Sequence, residues 1–232
     1  MFLRERGTQA EFCDRPDLSP AELQGVYRQL ARLNRLVHTT HLIGAALIRL
    51  RGRRNVGRLT LLDLGAGDGA AGRQLESWAR ARGWEWTVAS LDLNPGALRL
   101  GMGPRRIAGD ACALPFADES FDVVFASQMT HHLDVRLAAR HFAEAWRVTR
   151  DALYLLDAHR NVFALVFLSA FLRLAGFSRE FRSDAALSVK RGWRVREWQR
   201  LAADARIPNA SVHVDYASRI VLSARKPAAP AT

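Results

Sequence analysis

Leu61-Leu62-Asp63-Leu64-Gly65-Ala66-Gly67-Asp68-Gly69 is the most informative stretch of the chain. Its first residues have the apolar character of a buried strand, and a helix is predicted to begin at the last glycine. Glycines at such a turn let the backbone approach a ligand closely, and the N-terminus of the helix offers free N–H groups. The stretch therefore predicts a nucleotide- or cofactor-binding turn at one edge of a sheet.

Short apolar runs alternate with helical patterns after this turn, which is typical of βαβ units around a parallel sheet. Two closely spaced final strands require an antiparallel hairpin. The predicted fold class is α/β: a doubly wound, mostly parallel seven-stranded sheet with a C-terminal antiparallel hairpin and an N-terminal helical extension. The predicted strands are 59–64, 86–91, 105–108, 121–126, 151–156, 210–216 and 218–225, and the predicted helices of this part are 69–82, 95–101, 135–149, 161–175 and 195–205.

Two regions flank or interrupt this pattern. Residues 1–56 are predicted to form a helical extension or lid, with a helix start at Ser19-Pro20, ahead of a cofactor-binding domain at 57–232. Within that domain, 161–193 is expected to be an insertion that covers the substrate. Its helix is apolar on nearly every face and is predicted to be buried or to form a lid, and 176–193 is predicted to be irregular.

The composition limits the partners. The formal net charge is +11, but only Lys190 and Lys226 are lysines and the arginines are spread along the whole chain. A solvated basic surface is therefore favoured, and binding of nucleic acid is not expected. Cys13 and Cys112 form no metal-type pattern, so no metal site is expected. The apolar run from Val162 is shorter than the about 20 residues needed to cross a bilayer, no secretion signal is visible, and a cytoplasmic location is expected.

The glycine turn taken alone is ambiguous, because Gly65 to Ala70 also fits the dinucleotide fingerprint GxGxxA. Asp92, after the second strand, could bind a ribose in either case. Asp63 can accept hydrogen bonds from the loop or from the ammonium group of a ligand. Asp110, after the third strand, could accept from the amino group of an adenine.

Taken in order, these segments resemble the class I S-adenosylmethionine-dependent methyltransferases, in particular the group that includes the ubiquinone/menaquinone-biosynthesis methyltransferases. The resemblance runs from about Leu59 to Asp157, and the ordered series is more specific than any one member. It is carried by Asp63-Leu64-Gly65-Ala66-Gly67-Asp68-Gly69, Leu91-Asp92-Leu93, Gly109-Asp110-Ala111 and Phe116-Ala117-Asp118-Glu119-Ser120-Phe121-Asp122-Val123-Val124.

The resemblance implies that S-adenosyl-L-methionine is the cofactor. It also implies that the three glycines border the methionine moiety, that Asp92 holds the ribose hydroxyls, and that Leu93 lies on the adenine face with Asp110 at its edge. The expected cofactor-binding residues are Asp63, Gly65, Ala66, Gly67, Gly69, Asp92, Leu93, Asp110, Ala111 and Ser127.

Three histidines follow the fourth and fifth strands and are the catalytic candidates: His131, His132 and His159. Methyl transfer depends mainly on aiming the nucleophile, and a histidine base is useful only where the acceptor must lose a proton. The favoured function is methylation of a small, aromatic or apolar molecule, with O-methylation of an aromatic or polyketide-like natural product first. C- or N-methylation, an RNA or protein substrate, and a non-methylating enzyme on the same scaffold stay open.

Overall fold

The computed structural model of the chain describes residues 3–15, 17–52, 56–215 and 218–227. The end of the strand predicted at 210–216 lies outside these residues. Short 3-10 turns occupy Phe12–Asp14 and Thr130–His132. The helices are α1 (Pro20–Leu36), α2 (Thr39–Arg51), α3 (Ala70–Arg80), α4 (Pro95–Leu100), α5 (Val135–Val148), α6 (Val162–Leu174), α7 (Arg179–Arg191) and α8 (Val195–Asp204), and the strands are β1 (Arg58–Leu64), β2 (Glu85–Asp92), β3 (Arg106–Ala108), β4 (Phe121–Ser127), β5 (Thr149–Ala158), β6 (Ser211–Asp215) and β7 (Arg219–Arg225).

The seven described strands form one sheet in the order β3-β2-β1-β4-β5-β7-β6. Strands β1 to β5 are parallel, and β7 runs antiparallel to both β5 and β6. The strand order changes direction between β1 and β4, and ligands bind at the carboxyl edge of such a switch point. The predicted α/β fold with a mostly parallel seven-stranded sheet and an antiparallel C-terminal hairpin is confirmed.

Helices cover both faces of the sheet, because successive strand residues point to opposite sides. Leu61 of β1 packs in a cluster with Leu47 of α2 and Leu75 of α3. Leu62, the next residue, packs in a second cluster with Phe142 of α5. The two clusters hold the sheet rigid from both sides and fix the carboxyl ends of β1, β2, β4 and β5 at one edge.

Helix α7 corrects the prediction that 176–193 is irregular. The Ser178 side chain accepts a hydrogen bond from the backbone N–H of Phe181 and starts the helix. The buried face of α7 carries the polar residues Asp184 and Arg191 as well as apolar ones. These buried polar side chains interrupt the apolar periodicity that predicts an amphipathic helix, which explains the error.

Helix α6 lies at the surface, contrary to the prediction of burial. Phe163 is 83% exposed and Phe167 is 71% exposed, whereas Ala164 and Leu172 are buried. Leu172 packs with Phe177 against α7, so only one side of this apolar helix is covered. Within the described ranges, no helix is long and apolar enough to cross a membrane.

Candidate active site

The glycine loop after β1 has a backbone that only glycine adopts without strain. Gly65, Gly67 and Gly69 have φ angles of +68°, +59° and +71°. A Cβ atom at position 67 would overlap the ring of Tyr27, which α1 presses onto the loop. The N–H of Ala66 donates to the carbonyl of Leu91 at 3.0 Å, which ties the loop to β2. The loop is thus held open along its backbone, as a close-fitting ligand requires.

Asp92, at the end of β2, lies directly beside this loop. One carboxylate oxygen accepts from the N–H of Gly67 at 2.7 Å, and the other accepts from the N–H of Asn94 at 2.8 Å. The next residue, Leu93, is 72% exposed. Asp110, after β3, is exposed and accepts from the N–H of Cys112 at 2.8 Å. An exposed apolar side chain and two carboxylates at neighbouring strand ends suit the base and ribose of a nucleoside.

Asp63 is a buried acceptor without a donor. Its side chain is in the core beneath the glycine loop, and its Oδ2 atom has no hydrogen-bond partner in the part of the chain that the structure describes. Burial, followed by the charges of Asp92 and Asp68, raises the pKa of its carboxyl well above the usual range. An orphaned buried acceptor is uncommon in proteins, and the ammonium group of an amino acid fits it.

A cavity of about 350 Å³ lies beside the glycine loop, between α1, α6, α7 and the ends of β4 and β5. Val26 of α1 lines this cavity, while the next residue, Tyr27, contacts Gly67. The volume is at the small end of the range for ligand pockets. The apolar walls come from Val26, Leu30, Leu33, Leu36, Val37, Phe167, Leu168, Phe171 and Phe181, and the polar floor comes from Glu11, Gln128, His131, His132, Asp184 and Ser188.

Several known proteins that are similar to this chain are named as methyltransferases. The family model described as "Methyltransferase domain" matches residues 62–156. A demethylmenaquinone methyltransferase from Mycobacterium marinum is 29% identical over 200 residues, which is 81% of this chain and 83% of that protein. A SAM-dependent methyltransferase from Methanosarcina mazei superposes with a TM-score of 0.52 at 20% identity, over 73% of this chain and 93% of that one. The magnesium protoporphyrin IX methyltransferase from Synechocystis, solved with bound S-adenosylhomocysteine, gives a TM-score of 0.54 at 15% identity, over 97% and 91% of the two chains. The chain is an S-adenosylmethionine-dependent methyltransferase with a Rossmann-like α/β fold.

In the methyltransferase, His131 is enclosed by two carboxylates. Its Nδ1 lies 2.5 Å from Oδ1 of Asp157, and its Nε2 lies 3.4 Å from Oε1 of Glu11. Burial alone would lower the pKa of the imidazole, but the charge and hydrogen bond of Asp157, together with Glu11, raise the pKa to about 10. With that proton in place at neutral pH the ring cannot accept another. A general base would have to release this proton before it could act, and the catalytic role of His131 stays a prediction.

His132 lies on the cavity side of His131. The two ring centroids are 4.2 Å apart, and the His132 side chain is 28% exposed. Its Nδ1 lies 2.7 Å from Oδ1 of Asp14. The pKa of Asp14 is lowered because hydrogen bonds to His132 and Arg191 outweigh its burial. An anionic carboxylate thus orients the histidine that faces the cavity.

The remaining predicted residues are placed less centrally. The cavity lining, as far as the chain is described, does not include His159, whose Nδ1 lies 2.7 Å from the amide nitrogen of Asn161. Ser127 ends β4 opposite Leu156 in the sheet and is half-buried. The carbonyl of Ala111 lies 3.3 Å from Nδ1 of His141. The structure therefore brings His131 and His132 together at the cavity and leaves His159 outside it.

The sequence did not point to the N-terminal segment from Glu11 to Asp14, which completes the floor. Asp184 of α7 accepts from the backbone N–H groups of Phe12 and Cys13 at 2.7 and 3.2 Å. Ser188 donates to the Glu11 carboxylate at 2.9 Å. The segment has no apolar periodicity, and its partners are more than a hundred residues away, so no local signal identifies it.

Proposed function

We propose that the methyltransferase transfers a methyl group to an oxygen of a hydroxylated aromatic ring that carries an apolar substituent. The cavity beside the glycine loop supports this proposal, because its walls are apolar and its floor is polar and charged. The walls suit the substituent, and the floor suits the hydroxyl group. Leu36 and Phe167 are 48% and 71% exposed and line the cavity, so an apolar molecule would meet apolar side chains as it enters.

We propose that the cofactor lies along the carboxyl ends of β1 and β2. Gly65, Ala66, Gly67 and Gly69 would border its methionine part, with Asp63 accepting from the ammonium group. Asp92 would bind the ribose hydroxyls. Leu93, Asp110 and Ala111 would surround the adenine, and Ser127 would lie near the reacting end.

The covering elements complete the proposal. The N-terminal part up to residue 56 would act as an extension or lid, because α1 supplies one apolar wall of the cavity. The insertion 161–193 would cover the substrate from the other side, since α6 and α7 supply the opposite wall. The substrate would thus be enclosed by helices that lie outside the sheet core.

S-adenosylmethionine supplies a methyl group bound to a sulfonium. The new bond forms between the acceptor oxygen and the methyl carbon while the carbon–sulfur bond breaks, leaving S-adenosylhomocysteine. The acceptor hydroxyl would pass its proton to solvent as the bond forms, while polar side chains of the floor such as His131 and His132 hold its oxygen. The walls aim the oxygen along the axis of the breaking bond, and such alignment supplies much of the rate in reactions of this kind.

Transfer to a ring carbon is the second candidate. The matched protein from Mycobacterium marinum is named a demethylmenaquinone methyltransferase, which favours a quinol-type ring as acceptor. A carbon next to a hydroxyl becomes nucleophilic once that hydroxyl loses its proton. Both candidates therefore require the same oxyanion at the same floor.

Methyl-labelled S-adenosylmethionine tests the proposal. We expect label in a phenol or quinol with an alkyl chain, and much less label in the same ring without the chain. An equal amount of S-adenosylhomocysteine should form, and NMR of the labelled product distinguishes an O-methyl from a C-methyl group. Label transferred only to RNA or protein, or S-adenosylhomocysteine absent during turnover, would contradict the proposal.

A further inference from the structure

Two histidine nitrogens and a carboxylate converge on one point of the cavity floor. One ring nitrogen of His131, one of His132 and a carboxylate oxygen of Glu11 lie within 4.8 Å of one another. All three residues line the cavity. The His131 and Glu11 side chains are 2% and 4% exposed, so the cluster is closed on the protein side.

Nε2 of His131 and Nδ1 of His132 are buried without an aligned hydrogen bond within the described ranges, although Oδ1 of Asp14 lies 2.7 Å from Nδ1 of His132. Nε2 of His131 is 3.4 Å from Oε1 of Glu11, but the two are not aligned for a hydrogen bond. Two ligands that each lie about 2.1 Å from a tetrahedral metal ion are about 3.4 Å apart. The observed separation is thus that of two ligands of one ion.

The other nitrogen of His131 has the partner that metal-binding histidines usually have. Its Nδ1 lies 2.5 Å from Oδ1 of Asp157. The Asp157 carboxylate also accepts from the backbone N–H groups of His131 and Ala158, so its position is fixed. A carboxylate that accepts from Nδ1–H leaves the lone pair on Nε2, directed away from it, and orients the ring. In His131 a metal ion would displace the proton of Nε2, and the lone pair that this frees faces Glu11 and His132.

The surrounding charges also favour a cation. Besides Glu11 and Asp157, the Asp14 carboxylate lies 2.7 Å from Nδ1 of His132. Arg191 pairs with Asp14 at 2.5 Å and lies 3.8 Å from Glu11. Arg6, whose guanidinium donates to the carbonyl of His131, also lies here, and Asp184 lies close to Glu11. Two arginines and the proton of His131 thus stand against four carboxylates. A divalent ion in place of that proton would reduce the excess of negative charge.

We propose that Glu11, His131 and His132 bind one divalent transition-metal ion of the Zn²⁺ type at the floor of the cavity. Imidazole and carboxylate ligands suit such ions, and three protein ligands leave a position open. The open position would face the cavity. If the proposed function holds, the acceptor oxygen binds there as an anion after its proton passes to solvent. The metal site itself does not depend on that function.

Metal binding to the full chain, prepared without a histidine tag and stripped with EDTA, tests the proposal. Isothermal titration with Zn²⁺ should give one equivalent bound, and His132→Gln and His131→Gln should each weaken binding at least a hundredfold. His159→Gln is the matched control, since His159 lies outside the cavity, and should bind Zn²⁺ like the unmodified chain. Asp157→Asn should weaken binding about 10–100-fold, as loss of a supporting carboxylate does.

Glu11 also lies close to Cys13 and Asp184, so a second measurement must distinguish the proposed site from this neighbouring cluster. Co²⁺ bound at the proposed site should give visible bands of a low-coordinate ion without a thiolate charge-transfer band, and Cys13→Ser should leave those bands unchanged. S-adenosylmethionine binding serves as the folding check for each variant. Absence of Zn²⁺ binding, or binding unchanged in a folded His132→Gln or His131→Gln, would overturn the proposal. Zn²⁺ bound as expected without methylation of any phenol or quinol would overturn the proposed function instead.

Discussion

The charge on His131 makes the stability of the metal-free methyltransferase depend on pH in a predictable direction. Folding raises the pKa of this imidazole from 6.5 to about 10, despite burial, through Asp157 and Glu11. A raised pKa contributes stability that is complete below the unfolded pKa and is lost as pH rises toward the folded one. Between those values the folded state holds one proton more than the unfolded state, so the free energy of unfolding falls by about 1.4 kcal/mol per pH unit at most.

The interval from pH 6.5 to 8.5 isolates this effect best. His141 is buried with its pKa lowered to about 4, so it adds stability as pH rises toward 6.5 and changes little above. The pKa of the Cys112 thiol is raised by burial to about 12, so this thiol changes the free energy of unfolding only near its unfolded pKa of 9.0 and above. We expect the free energy of unfolding to fall by about 2 kcal/mol across the interval.

Urea denaturation followed by tryptophan fluorescence, with EDTA and ionic strength fixed, measures this fall. Asp63 also lowers the free energy of unfolding as pH rises, because its pKa is raised as well. A variant is therefore needed to show that the fall comes from His131. Asp157→Asn should remove most of the fall, whereas Asp118→Asn, on an exposed ion pair with Arg147, should leave it unchanged. A free energy of unfolding that stays constant from pH 6.5 to 8.5, or the same fall in Asp157→Asn, would refute the assignment.

Three further substitutions test the cofactor loop and the cavity. Gly67→Ala should lower the free energy of unfolding by at least about 1–2 kcal/mol, because its φ is +59° and its Cβ would overlap Tyr27. The control is Gly25→Ala, which has open space around it and should be neutral or stabilising; thermal denaturation measures both. Asp63→Asn should leave the cofactor-free protein as stable or more stable, yet weaken S-adenosylmethionine binding about 10–150-fold by calorimetry, since a charged hydrogen bond is worth about 1.5–3 kcal/mol. Unchanged affinity would remove Asp63 from the cofactor site. Leu33→Trp should fill part of the cavity and raise KM for an alkylated acceptor on the order of tenfold or more, with cofactor affinity unchanged. An equal rise in KM for the acceptor without the alkyl chain would contradict the placement of the substituent.

The sheet was predictable because its signals are local. Each strand from β1 to β5 is a short apolar run bounded by turn residues, and the glycine loop marks where β1 ends. The antiparallel β6–β7 hairpin followed from the short connection between two strands. Helix α7 was not predictable in this way, since Asp184 and Arg191 occupy its buried face and break the apolar pattern.

The residues of the candidate site differ in the same way, since some have local signals in the sequence and others have none. The cofactor residues follow strand ends in a fixed order, so the motif that contains Asp63 and the acid at Asp92 could be recognised from the sequence. The surroundings of His131 could not, because Glu11 is distant in sequence and lies in a segment without periodicity. Pairing with carboxylates, which only the folded chain reveals, raises the pKa of this imidazole despite its burial.

The N-terminal segment from Glu11 to Asp14 and helix α7, neither of which the sequence predicted, are joined by the same contacts. Asp184 and Arg191 are buried on α7 because they bind the segment that holds Glu11 and Asp14: Asp184 accepts from its backbone, and Arg191 pairs with its carboxylates. Arg191 also donates to the carbonyl of His132, which joins the same helix to the turn after β4. Buried charge is costly unless it is paired, and here every pair leads to the cavity floor. The positions where local patterns failed are therefore the positions where the fold places buried charge at the cavity floor, at a cost in stability.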